Sequence, residues 1–189
     1  MTKINYKNIY YPPGGILMWL IIFLELITFG IALIALVINS KENSDLFHQS
    51  RLILNPSFGA INTVFLLTSG FFMATTVHQF KLNNVKKSSF YLKLTMLGGF
   101  MFLILKSVEY FIKLKEGFSI DYNSFFTFYW LLTGFHVIHV MVGLTILFVI
   151  NKSLKKGSLS VEDIEASAAF WHMCDLIWLL LFPILYLIF

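Results

Sequence analysis

Five apolar runs decide what this chain can fold into. They lie at Ile16–Ile38, Gly59–His78, Leu94–Ile112, Ser124–Ile150 and Ala166–Phe189. A helix of about 20 residues, rising about 1.5 Å per residue, crosses a hydrocarbon core about 30 Å thick. In hydrocarbon every backbone N–H and C=O must be satisfied within its own segment, and these runs are too long and too uniformly apolar to be barrel strands. The expected fold is therefore all-α: a polytopic membrane bundle of five transmembrane helices, forming a single domain over residues 1–189.

Charge supports that reading. Charged residues make up 13% of the chain, about half of the roughly 25% usual in soluble domains, which excludes an ordinary soluble enzyme. The net charge of +4 comes from lysines placed between the apolar runs, where they act as topology signals and do not point to a nucleic-acid partner. The N-terminal tail (Lys3, Lys7), the second connection (Lys81, Lys86, Lys87, Lys93) and the fourth (Lys152, Lys155, Lys156) hold nine, against four in the first (Lys41, Arg51) and third (Lys113, Lys115). Nine against four places the N-terminus in the cytoplasm and the C-terminus outside. The first run contains Glu25 and exceeds the roughly 7–15 residues of a signal-peptide core, with no small-residue cleavage site after it, so it is expected to stay as a helix. The lone cysteine, Cys174, lies in an apolar run and forms no intrachain disulfide.

Away from the ends of the runs lie Glu25, Lys106, Glu109, His136, His139, His172 and Asp175. Charge at a helix centre costs about 2.5–3.5 kcal/mol to insert, so such residues face the bundle and find partners. Lys106/Glu109, His136/His139 and His172/Asp175 are each spaced i,i+3, which puts both members of a pair on one helix face. Counted at helical rise, Glu25, His139 and Asp175 all lie roughly 14–16 Å from the lysine-rich side. They share one layer, which predicts a Glu25–His139 hydrogen bond with Asp175 close by. Lys106, Glu109 and His136 fall nearer the other face and form a candidate second cluster.

Each group has a plainer reading beside the functional one. Lys106/Glu109 reads as an interfacial pair snorkelling outward. Glu25 and His139 read as interhelical glue, as against a proton-handling role. His172 and Asp175 read as partners for a neighbouring helix, and His48 and His78 as solvated. The His-x-x-His and His-x-x-Asp spacings leave metal or haem ligation as a minor alternative. No Cys pair, phosphate loop or Ser/His/Asp order suggests catalysis by this chain. Gly98, Gly99, Gly134 and Gly143 permit close helix approach, Pro183 is placed to kink the last helix, and Ser160 before "VEDIE" is placed to start it.

The segments "FFTFYWLLTGFHVIHVMVGLTIL" and "ASAAFWHMCDLIWLLLFPILYLI" resemble the two C-terminal helices of subunit III of haem–copper oxidases. "MWLIIFLELITFG" resembles that family's helix with an embedded carboxylate, and "NTVFLLTSGFFMATTVH" and "LKSVEY" resemble the helices that follow it. The likeness runs from about Gly14 to Phe189, and "LKSVEY", "FYWLLTG" and "FWHMCDLIWLLLFPILYL" are most similar to the NorE-type branch linked to nitric oxide reductase. The resemblance implies a non-catalytic subunit, free of its own redox cofactors, that packs against the haem- and copper-bearing subunit I of a respiratory complex in the bacterial cytoplasmic membrane. It implies support of the catalytic subunit and of proton uptake on the cytoplasmic side, with Glu25 as the embedded carboxylate and His139 as the histidine beside it. Glu109, His136, His172 and Asp175 match the remaining polar positions. The family also holds phospholipid in a cleft between its first two helices and the other five. Those two helices have no counterpart in this sequence, so a partner is expected to supply that wall. An accessory subunit of nitric oxide reductase and a small proton-coupled transporter stand as alternatives.

Overall fold

The computed structural model describes residue 12 and residues 14–188. The topology lysines Lys3 and Lys7, and Phe189 at the end of the last predicted run, lie outside the described residues. The described chain is helical: α1 (Ile16–Glu42), α2 (Ser44–Ile53), α3 (Pro56–Lys81), α4 (Val85–Lys115), α5 (Ser124–Lys156) and α6 (Val161–Pro183), with a π-helical turn at Ile184–Ile188. Five of these, α1, α3, α4, α5 and α6 continued through the π turn, are long and apolar enough to cross a membrane.

The helices outrun their apolar cores because caps, not hydropathy, set where a helix ends. Asn55 accepts from the Ser57 N–H ahead of Pro56 at the first helical position of α3, and Asn84 accepts from Lys87. Asn123 accepts from Phe126. Ser160 and Asp163 form a reciprocal capping box, so α6 starts at Val161. These side chains satisfy amide donors that the first turn leaves without partners. At the other end of α5, Gly157 takes the left-handed conformation (φ 70°) that closes a helix without strain.

α2 lies within the first connection between the apolar runs, where "SDLFHQSRLI" forms a short helix that buries Phe47 and Ser50. Ten residues are too few to register in a search for spans, yet one apolar face is enough to hold them on the bundle.

α3 and α4 form a long antiparallel hairpin, α4 packs on α5, α5 on α6, and α6 back on α3. These four helices close a ring. α1 lies outside it against α5 and α6, and α2 lies across one end against α5 and the π turn. Close approach relies on particular glycines. A Cβ on Gly99 would come within 2.6 Å of the Trp171 ring, and one on Gly143 within 2.9 Å of it. Gly134, expected to act in the same way, has nothing within 4 Å of where a Cβ would stand.

Pro183 ends the regular α6 ladder, since it brings no N–H, and the chain continues as the π turn. That turn buries both Leu185 and Tyr186. Tyr186 thereby enters the middle of the ring.

Candidate functional site: a polar column inside the bundle

Three bonded levels stack through the four-helix ring. At the first, Trp171 of α6 donates its indole N–H to Ser69 of α3 at 3.0 Å, and Ser69 donates to the Thr95 carbonyl of α4 at 2.8 Å. One hydroxyl thus ties three helices.

At the next level Trp178 donates to Thr63 at 3.0 Å. The His136 ring stacks on Trp178, with centroids 5.3 Å apart, and meets the edge of Phe102 at 5.5 Å. His136 is fully buried, and neither ring nitrogen has a hydrogen-bond partner among the described residues. Here the imidazole serves as an aromatic plate. It does not join the Lys106–Glu109 cluster by hydrogen bonds.

The third level is a closed network. Lys106 donates to Glu109 Oε2 at 2.9 Å, to Tyr129 Oη at 3.2 Å and to Tyr186 Oη at 2.7 Å. Both tyrosines then donate to Glu109 Oε1, Tyr129 at 3.0 Å and Tyr186 at 2.6 Å. An ammonium has three N–H donors, and all three are used. The Lys106 nitrogen also lies 4.7 Å from the Tyr129 ring centroid and 5.4 Å from that of Trp178. Lys106 is 0% and Glu109 1% exposed, which corrects the snorkelling reading. The geometry explains the difference: burying two charges costs several kcal/mol per ion unless the remaining donors and acceptors are also met, and the two tyrosine hydroxyls meet them. Both hydroxyls were overlooked in the sequence, because aromatic residues in an apolar run look like packing until their polar ends are shown to converge.

Beyond this level, Tyr110 donates to Thr133 at 2.8 Å, and Lys113 reaches both the Ile53 carbonyl of α2 at 2.9 Å and Glu116 at 2.6 Å. Lys113 thereby caps the end of α2 and fixes it to α4.

The predicted Glu25 layer lies outside the ring, where α1 meets α5. Glu25 Oε2 stands 3.1 Å from His139 Nε2. The approach is that of an ion pair, but the carboxylate oxygen has no aligned hydrogen bond, so the predicted bond is a close polar contact instead. His139 Nδ1 lies 2.8 Å from the Phe135 carbonyl. A carbonyl only accepts, so Nδ1 carries the proton and Nε2 is left facing Glu25. Asp175 makes no hydrogen bond to that pair. It accepts from His172 at 3.3 Å and lies against Gly70 of α3. His48 and His78 are exposed.

As donor sets for a metal these groups are dispersed. Among the described residues no three His, Cys, Asp or Glu side chains converge on a point. What the charged ones can do chemically is hold one another, while His136 packs between rings.

The sequence comparisons agree with this architecture. Residues 52–188 match the family described as Cytochrome c oxidase subunit III. The chain belongs to that family. Among its relatives, the cytochrome bo(3) ubiquinol oxidase subunit 3 of Buchnera aphidicola subsp. Schizaphis graminum is 29% identical over 90% of this chain and 91% of its own length. The same-named protein of Buchnera aphidicola subsp. Acyrthosiphon pisum is 27% identical, over 90% of this chain and 84% of its own length. The cytochrome c oxidase subunit 3 of Struthio camelus is 34% identical over 70% of this chain, and the match spans 51% of that longer protein. Subunit III membership fits the multi-pass apolar bundle. It also implies assembly with other oxidase subunits. The family match begins at Leu52, after α1, whereas the alignment with the first Buchnera protein extends over most of the chain.

Proposed function

We propose that this chain is the non-catalytic subunit III of a respiratory haem–copper terminal oxidase, seated beside the catalytic subunit I in a bacterial cytoplasmic membrane. The observation that carries the reading is the family match over residues 52–188. Support also comes from the site itself: Lys106 and Glu109 are spent on each other and on two tyrosine hydroxyls, and His136 packs between aromatic rings. Haem and copper belong to the partner in this reading, and this chain contributes no redox centre. Its work is to hold the catalytic subunit in shape and to place Glu25 and His139 beside the route by which protons enter. The nine-to-four lysine and arginine bias supports a cytoplasmic N-terminus and a periplasmic C-terminus in this reading.

The test is affinity purification of the tagged chain from its native membrane in mild detergent, followed by an optical spectrum. Co-purification of a haem-bearing subunit that binds carbon monoxide and consumes oxygen is the expected result. A partner that instead reduces nitric oxide would move the chain to the reductase-accessory reading. Recovery of the chain with no haem-bearing partner would remove both.

A further inference from the structure

We infer that the outer groove between α4 and α5 is a binding site for one anionic phospholipid. The groove encloses about 410 Å³ and is lined by Met96, Phe100 and Leu103 of α4 and by Met141, Leu144, Thr145 and Phe148 of α5. Thr145, its one polar lining residue, donates its hydroxyl back to the Met141 carbonyl at 2.9 Å, so the groove offers an acyl chain an apolar wall. Leu144 is the floor, backed by Gly99.

Both walls end in a lysine at the same end of the bundle. Lys93 precedes Met96, Phe100 and Leu103 on one stripe of α4, and Lys152 follows Met141, Thr145 and Phe148 on one stripe of α5, at helical spacings of three and four residues. Ser89 donates to Asn151 at 3.3 Å, which sets the start of α4 level with the end of α5 and leaves the two lysines roughly 7–8 Å apart along the bundle axis. The Lys152 ammonium lies 4.6 Å from the Phe148 ring centroid, directly at the mouth of the groove. Both lysines are exposed, and neither has an acidic partner among the described residues. An apolar trough of chain-sized volume that opens on two unpaired cations complements an acyl chain continued by a phosphate. A zwitterionic lipid or a neutral partner helix would leave that charge uncompensated. The groove faces away from α1 and is not the cleft that the family resemblance implies. The inference requires the membrane reading but not any particular partner complex.

The experiment uses the tagged chain with its assembled partners, transferred to nanodiscs of equal phosphatidylglycerol and phosphatidylcholine, then released and weighed by native mass spectrometry. The native chain is expected to retain phosphatidylglycerol several-fold over phosphatidylcholine. K93Q/K152Q is expected to lose that preference, L103W to lose the bound lipid itself, and K115Q at the opposite end to behave as the native chain does. Equal retention of the two lipids by the native chain overturns the proposal without any variant. So does unchanged retention in K93Q/K152Q, or disulfide capture of a partner subunit by cysteine placed at Phe100 or Met141.

Discussion

Tyr186 donates its hydroxyl to Glu109 at 2.6 Å while accepting from Lys106 at 2.7 Å, and so ties the turn after α6 to the last third of α4. The bond exists because Pro183 ends the regular α6 ladder and the π turn after it carries Tyr186 into the ring. A local backbone irregularity thus completes a buried charge network.

Removing one charge from that network is expected to be costly. Lys106→Met leaves the Glu109 carboxylate buried without its cation, a change that destabilises by about 3–5 kcal/mol. Replacing both members, Lys106→Met with Glu109→Leu, is expected to recover most of the loss. Thermal unfolding of the single and double variants in detergent checks this, and a double variant no better than the worse single one would contradict it.

The tyrosines are expected to matter through their hydroxyls. Tyr186→Phe keeps the ring but leaves Lys106 one acceptor short and Glu109 one donor short, a loss of about 1–3 kcal/mol. Tyr129→Phe is expected to fall in the same range, and the two together to be non-additive, because both serve the same carboxylate oxygen. Unfolding midpoints for the three variants decide the matter.

Much of this was legible in the sequence, for reasons that can be named. The spans were visible because lipid imposes a length on apolar runs, and the α6 start because Ser160 and Asp163 carry a capping pattern. The i,i+3 pairing of Lys106 with Glu109 placed both on one face, but the sequence held no record of how deeply that face is buried. Tyr129 and Tyr186 supply the missing compensation from 20 and 77 residues away, a separation that no periodicity reports. His136 shows the converse. Its spacing from His139 matched a functional pattern, whereas its surroundings are Phe102 and Trp178 rings. α2 was hidden because an interfacial helix of one short amphipathic face lacks the length signal of a span.

Packing around Trp171 gives a third prediction. Gly99→Leu forces bulk against the Trp171 ring, already 2.6 Å from an added Cβ, and is expected to destabilise by about 1–3 kcal/mol. Ser69→Ala removes only the three-helix hydroxyl and is expected to cost about 0.6–1.7 kcal/mol. Gly134→Ala, with open space around it, is the control and is expected to change nothing. Unfolding midpoints that rank these three in another order would show the packing to be misassigned.

For the α1–α5 contact, Glu25→Gln is expected to leave insertion and assembly intact, since the amide keeps the shape and polarity of the side chain facing His139. His139→Leu is expected to weaken packing by about 1–2 kcal/mol without altering the haem spectrum of the assembled complex. Loss of a haem band with the partner subunit still bound would contradict this placement.

The central claim is that Lys106 and Glu109 are paired with each other, that Glu25 and Asp175 lie against His139 and His172, that His136 packs as an aromatic plate, and that any metal belongs to a partner. The most direct measurement is elemental and haem analysis of this chain after its release from the purified complex, with the partner subunits analysed in parallel. The account predicts haem and copper with the partners and no stoichiometric iron, copper or zinc on this chain. One metal ion or haem per chain, lost on replacing His136 or His139 with Ala, would contradict it.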